Sequence, residues 1–234
     1  MNLWQSRDQA NAALNSTLAT HKVLLEEGFA LLDRAIDAFR ERRSDSPFNR
    51  VCGLTLTKAR NTALGLYSLC LDALGQEAGA LLRLLIEQYE LLVYVRQDPS
   101  RVQLILDEKL PPPSERAKAI QGEFQDLRSH LNENASHFGF TYESLKHLLP
   151  GSEDGWRVAQ PYNEYALIVN LGVLFGVLTH LLVEASNCLQ VAGIKEHEDL
   201  SMATSFYQEK GLALLDIPRA SLRPHPNPPN TDST

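Results

Sequence analysis

The sequence predicts an all-α protein, a bundle of about five to seven helices with long antiparallel helices around a central apolar helix. Three observations predict this fold class. Leucines recur at seven-residue steps near the N-terminus, which is the spacing of helix-on-helix packing. A serine or aspartate precedes a proline at two places, which is typical of helix starts. Residues 165–183 carry no charge, as expected of a helix that is buried on all sides.

Composition bounds the class of protein. With 234 residues, of which 44% are hydrophobic, the chain can bury a substantial core. We expect one helical domain over residues 1–217 and a disordered tail over residues 218–234, which holds five prolines and few apolar residues. The formal net charge of −7 disfavours RNA as a partner. The three cysteines lack metal-ligand spacing, so no metal and no cofactor is predicted.

The first helix is predicted over residues 7–43. Its packing seam consists of Leu18, Leu25, Leu32 and Phe39, which follow one another at seven-residue steps. Side chains at this spacing share one face of a helix and pack against a neighbour. We therefore expect this helix to lie along the bundle for its whole length.

Cap signals locate the next two helices. Ser46, which precedes a proline, predicts a helix over residues 46–74, because proline at the first helical position sacrifices no hydrogen bond. Gly75 and Gly79 mark either a tight turn or a weak helix. Residues 80–96 are apolar on most sides, which predicts a deeply buried helix.

The second half of the chain begins with a similar signal. Asp98 precedes a proline and predicts a short helix to about Leu110, where three prolines end it. Ser114 can cap a further helix that runs to about His137. The turn-rich residues 151–161 predict an ordered crossover. The last two helices are predicted over residues 163–191 and 199–215.

Residues 165–183 approach the length of a membrane span, which requires about 20 apolar residues. Asn170, Thr179 and His180 interrupt the stretch, and acidic rather than basic residues flank it. These features favour a buried central helix over membrane insertion. The polar N-terminus lacks the apolar core of a signal peptide, which predicts a cytoplasmic location. A membrane-associated helical protein stays the alternative.

The first candidate site lies on the third helix. Arg83, Glu87, Glu90 and Tyr94 are spaced so that all four share one helical face. One interpretation is structural: Arg83 and Glu87 form an ion pair at the rim of the bundle, and Glu90 and Tyr94 are solvated. The other interpretation is functional: the charged pair lines a polar cleft, because buried ionisable groups are costly and cluster at functional sites.

The second candidate site is a histidine stripe. His130, Asn134 and His137 are spaced to share one face of a helix, a few residues after Arg128. Two imidazoles and an amide could bind a ligand or perform acid–base chemistry near neutral pH. The Glu-x-x-His pairs of bundle metalloproteins are absent from the sequence, so no metal site is predicted. The structural alternative is that the histidines complement the dipole at a helix C-terminus.

A third pair, His180 and Glu184, lies one turn apart on the long apolar helix. A histidine on an apolar helix is explained most simply as a core side chain with a satisfied hydrogen bond. We therefore expect His180 to be buried.

Two stretches carry a family resemblance. Residues 80–99, with Arg83 and Glu87, and the later helix that ends Leu-Asn-Glu-Asn-Ala-Ser-His at residues 131–137 resemble uncharacterised bacterial proteins related to the HEPN helical-bundle superfamily. In its catalytic members, an arginine and a histidine about four to six residues later form a metal-independent ribonuclease site, usually shared across a dimer. Here Arg128 precedes His137 by nine positions. The resemblance thus implies a helical bundle and a homodimer, and leaves catalysis open.

Three functions follow as expectations. The resemblance favours a bacterial HEPN-like bundle that acts through a protein partner or a small ligand, in defence or stress response, with His130 and Asn134 as candidate ligand-binding residues. The alternative is an RNA-cleaving or nucleotide-processing enzyme, with His137 as general acid or base and Arg83, Glu87 and Arg128 completing the site. Membrane association through the apolar helix is the third.

Overall fold

The computed structural model of the protein describes residues 4–136, 148 and 160–215, and these residues contain nine α-helices and no strand. The all-α fold class is confirmed, and five of the helices are long. The predicted tail over residues 218–234 and the crossover over residues 151–159 lie outside the described residues. The helices are α1 (Gln5–Leu14), α2 (Ala19–Glu41), α3 (Pro47–Leu71), α4 (Gly75–Gln97), α5 (Val102–Leu106), α6 (Pro113–Ala119), α7 (Gln125–Leu131), α8 (Glu164–Val191) and α9 (His197–Leu215).

The prediction of one continuous helix over residues 7–43 was wrong, because two helices, α1 and α2, occupy this region. A turn over residues 15–18 separates α1 from α2. The Ser16 hydroxyl donates a hydrogen bond to the carbonyl of Ala12 at 2.7 Å, and such local bonds compete with helix propagation. The predicted seam is confirmed as core: Leu18, Leu25, Leu32 and Phe39 are all buried.

Helix α3 begins as predicted. The Ser46 hydroxyl accepts a hydrogen bond from the backbone N–H of Asn49 at 3.1 Å, and proline follows at the first helical position. The chain then turns at Ala73, which has a φ of 62°, and α4 starts at Gly75. Helix α4 buries most of its apolar residues, but one face reaches solvent at Leu84.

The segment between α4 and residue 136 is more broken than predicted. Asp98 caps a 3-10 turn through its side chain, which confirms that signal, but the helix after it ends at Leu106. The helix expected from Ser114 to His137 is two short helices, α6 and α7, separated by a turn at Gln121, whose φ is 53°. After α7, residues 132–136 form a π-helix. Ser114 does not cap α6, which starts at Pro113.

Helix α8 is the central element. It is capped by Asn163, whose side chain accepts a hydrogen bond from the backbone N–H of Ala166 at 3.0 Å, and Gly193 follows it at a φ of 67°. It packs against α2, α3, α4 and α9. Among the described residues it is the one helix long and apolar enough to cross a membrane, and half of its most apolar stretch is buried inside the bundle.

Two glycines let α9 pack closely onto the bundle. A Cβ at Gly28 of α2 would overlap the ring and hydroxyl of Tyr207, and a Cβ at Gly211 would overlap the ring of Phe175 on α8. The two rings contact each other with centroids 4.9 Å apart. Helices α2, α8 and α9 are thereby joined through two aromatic side chains that only glycine leaves room for.

Candidate functional site

The face of α4 that carries Arg83, Glu87 and Glu90 packs against α6 and α7. There it meets Arg116 of α6 and Arg128 of α7. Arg83 and Glu87 form the predicted ion pair, with Arg83 Nη2 3.1 Å from Glu87 Oε1. We call these five residues the charged cluster. The structure thus adds two arginines to the face that the helical spacing indicated.

Glu90 is the most deeply buried member of the charged cluster. Its carboxylate has no solvent exposure and accepts a hydrogen bond from Arg128 Nη1 at 2.7 Å. Burial raises the pKa of Glu90, while the charges of Arg128 and Arg116 act in the opposite direction. The turn between α6 and α7 approaches Glu90 so closely that a Cβ at Gly122 would lie 3.1 Å from Glu90 Oε1.

Arg116 is buried without a carboxylate at ion-pair distance among the described residues. Its Nη1 donates a hydrogen bond to the carbonyl of Pro111 at 2.7 Å. Burial lowers the pKa of Arg116, and the negative charges of Glu87 and Glu90 offset part of that effect. Arg116 therefore adds a third positive charge beside the two glutamates, which are already paired with Arg83 and Arg128.

Several polar atoms of the charged cluster are buried without a hydrogen-bond partner in the part of the chain that the structure describes. These atoms are Arg83 Nε, Glu90 Oε1 and Arg116 Nε. Buried polar groups are nearly always hydrogen-bonded, to protein or to water. Three such atoms within one cluster can form further hydrogen bonds with water or with a bound ligand.

The structural interpretation of this face was wrong in part. The Arg83–Glu87 pair exists, but Glu90 and Tyr94 are buried rather than solvated. The Tyr94 ring lies under the guanidinium of Arg101, 4.3 Å from its centroid. Burial on this side arises from α6 and α7, whose positions the pattern of α4 alone does not indicate.

The histidine stripe is placed only in part. His130 is exposed on α7, whereas His137 and the side chain of Asn134 lie outside the described residues. The predicted convergence of Arg83, Glu87 and His137 therefore stays a prediction. The π-helix over residues 132–136 also changes the geometry, because its wider turns no longer place residues four apart on one α-helical face. No group of three metal-ligating side chains occurs among the described residues.

His180 is a functional candidate that the sequence interpretation missed. It was expected in the core, but its side chain is 43% exposed, and its Nδ1 lies 3.2 Å from Glu123 Oε1. The hydroxyl of Tyr89 donates a hydrogen bond to the same oxygen at 2.8 Å, and Phe124 packs edge-on against the imidazole. Glu184, the expected partner, is buried and pairs with Arg96 instead.

A histidine held by a carboxylate is the arrangement found in general bases. Gly122 lies against Glu90, and the next residue, Glu123, contacts His180. This histidine therefore lies on the side of α4 next to the charged cluster. Burial and the charge of Glu123 raise the pKa of Tyr89, which keeps its phenol protonated as a hydrogen-bond donor. Nothing in the sequence connects Glu123 to His180, because they belong to a turn and a helix far apart along the chain.

Comparison of the chain with protein-family models, with curated proteins and with solved structures finds no match. The fold and the site define the class: an all-α bundle in which two short helices cover a charged face of a long one.

Proposed function

We propose that this protein is a HEPN-like helical bundle that acts by binding a small anionic ligand at the charged cluster. The observation that carries the proposal is a set of five charged residues, three arginines and two glutamates, with three buried polar atoms that have no hydrogen-bond partner among the described residues. The anion would accept the missing hydrogen bonds from Arg83 Nε and Arg116 Nε.

The charge balance favours an anion. Three guanidinium groups against two carboxylates leave one formal positive charge in the cluster. Arginine presents several N–H donors in a fixed plane that suits phosphate and carboxylate groups. Arg83 and Glu87 are partly exposed, so the cluster reaches the surface on their side. A small phosphorylated ligand fits this chemistry. It avoids the extended contact with a phosphate backbone that the net negative charge of this protein disfavours in the case of RNA.

The HEPN resemblance supports the biological part of the proposal. It rests on α4, which carries Arg83 and Glu87, and on the end of α7 with the π-helix that follows. Through this resemblance we propose a role in bacterial defence or stress response, a cytoplasmic location and action as a homodimer.

Cleavage of RNA or of a nucleotide is the second candidate function. It is favoured by the three clustered arginines, which could stabilise phosphate charge, and by His180, which Glu123 orients beside them. His137 keeps its proposed role as the alternative acid or base. Membrane association is the third candidate, favoured by the apolar residues that α8 exposes on its outer side.

Phosphate binding tests the main proposal. Inorganic phosphate and adenosine monophosphate should each raise the melting temperature of the full-length protein, and Arg83→Gln should remove this stabilisation. Arg60→Gln is the matched control, because Arg60 also pairs with a carboxylate, Asp33, and its side chain is 30% exposed against 31% for Arg83. Equal stabilisation of both variants would contradict a ligand site at the charged cluster.

Cleavage of a labelled single-stranded RNA tests the second candidate. Activity that His137→Ala or His180→Ala abolishes while the melting temperature stays unchanged would establish an enzyme and identify its acid–base residue. Activity that survives both substitutions would reject both histidines.

A further inference from the structure

A cavity that contains no residue of the charged cluster lies where the end of α2 meets the start of α3. Its volume is about 270 Å³. The floor is apolar and the rim is basic. The floor consists of Ile36, Phe39, Gly53 and Leu54, and the rim of Arg40, Arg43 and Arg50.

Local geometry creates this cavity. The cap at Ser46 turns the chain so that α3 runs back along α2. A Cβ at Gly53 would lie 3.0 Å from the Cβ of Phe39, so the two helices approach closely there. Phe39 is fully buried beneath the cavity, and the accessible apolar surface comes from the half-buried Ile36 and from Leu54, which is 61% exposed.

The rim of the cavity is positively charged. Among the residues that the structure describes, no acidic side chain lines the cavity. Arg40 is paired with Asp37 at 2.9 Å, and Arg43 donates a hydrogen bond to the carbonyl of Arg40 at 2.8 Å. Arg50 makes no ion pair with any described residue. The first turn of α3 adds the partial positive charge of a helix N-terminus. In a chain with a net charge of −7, this is a local reversal of sign.

One buried polar group at the cavity also lacks a partner. Asn49 lines the cavity and is buried, and its Nδ2 donates a hydrogen bond to the carbonyl of Arg42 at 3.0 Å. Its Oδ1 has no hydrogen-bond partner among the described residues. A buried acceptor of this kind is costly unless a donor reaches it. A hydroxyl or N–H group of a ligand in the cavity would satisfy it.

We propose that this cavity binds a small amphipathic anion, with an aromatic or short acyl body on Ile36 and Leu54 and a carboxylate, sulfonate or phosphate on Arg43 and Arg50. The volume lies just below the roughly 300–1,000 Å³ of sites for drug-sized ligands, which limits the occupant to a compact molecule. The site shares no residue with the charged cluster and does not depend on the function proposed for it.

Calorimetric titration of the full-length protein with naphthalene-2-sulfonate tests the proposal. The ring should occupy the apolar floor and the sulfonate should contact the arginines. 2-Methylnaphthalene, which keeps the ring without the charge or a hydroxyl donor, and inorganic sulfate, which keeps the charge without the ring, should each bind at least tenfold more weakly. Equal binding of either control would overturn the amphipathic site.

Variants then locate the binding. Arg50→Gln should weaken naphthalene-2-sulfonate about tenfold, the effect of losing one charge-assisted hydrogen bond. Leu54→Asp should abolish it, because it replaces apolar floor with negative charge. Arg34→Gln and Val23→Asp are the matched controls, since Arg34 is exposed on α2 outside this cavity and Val23 is 60% exposed. Unchanged affinity in both test variants, with unfolding curves like the wild type, would refute the assignment.

Discussion

Replacing Arg128 by methionine tests the buried half of the charged cluster. The change keeps an unbranched apolar stem but removes the donor to Glu90, whose carboxylate has no solvent exposure. Breaking a buried ion pair by removing one partner costs about 3–5 kcal/mol, because the remaining charge stays buried. Arg116 still offers Glu90 a positive charge, which places the expected loss near the lower limit, about 3 kcal/mol.

Thermal unfolding followed by circular dichroism measures this loss. For a protein of this size each kcal/mol shifts the melting temperature by about 2–4 °C, so Arg128→Met should lower it by about 6–12 °C. Combining it with Glu90→Leu should restore most of the stability, because an apolar pair of similar volume removes the stranded charge. A melting temperature within 2 °C of the wild type for Arg128→Met, about the effect of 1 kcal/mol or less, would refute the burial of this pair.

The pH dependence gives an independent check on the same variant. Burial raises the pKa of Glu90 above its ordinary value of 4.5, and loss of the Arg128 charge raises it further. A carboxyl with a raised pKa in the folded state binds its proton more tightly when folded, so its contribution to stability is present at low pH and is lost as the pH rises. The deficit of Arg128→Met relative to the wild type should therefore grow as the pH rises above 4.5. A deficit that shrinks with rising pH would contradict this origin.

Three further substitutions test the packing by the same unfolding measurement. Leu32→Asp places a charge in the core and should cost several kcal/mol of stability. Val23→Asp, on the exposed side of the same helix, should change the melting temperature little. Equal effects would show that the seam is not buried. Gly211→Ala should destabilise the protein by about 1–3 kcal/mol through overpacking. Gly176→Ala, whose added Cβ would have no described atom within 4 Å, should be neutral or stabilising. The reverse order would contradict the close approach of α9. Ser46→Ala should cost about 1 kcal/mol through loss of the helix cap, and an unchanged stability would show that the cap bond is absent.

The helical fold was predictable from periodicity and caps. The leucine seam, Ser46 and Asn163 each specify their structure locally, through side chains a few residues apart. The breaks were less predictable. At Gln121 a non-glycine residue adopts the positive φ of a helix C-terminal motif, in which the backbone N–H of Gly122 donates a hydrogen bond to the carbonyl of Ala117. The glycine that usually marks this position lies one residue later, so the sequence signal is displaced.

The candidate site was predictable only along single helices. The spacing of Arg83 and Glu87 predicted their ion pair, because residues four apart on a helix are neighbours. The burial of Glu90 depends on Arg128, and the exposure of His180 depends on Glu123, and both partners lie on other elements. A helical pattern reports which residues share a face, but it does not report which element covers that face.

The close fit between α2 and α9 has a consequence for how this chain can diverge. Gly28 cannot gain a side chain while the Tyr207 ring occupies the adjoining space, so substitution at residue 207 must come first. The buried Tyr207 hydroxyl has no hydrogen-bond partner among the described residues, so phenylalanine is an accessible first step, and a smaller aliphatic residue then opens the space. Homologous sequences should therefore pair glycine at 28 with an aromatic residue at 207, and a larger residue at 28 with a smaller one at 207.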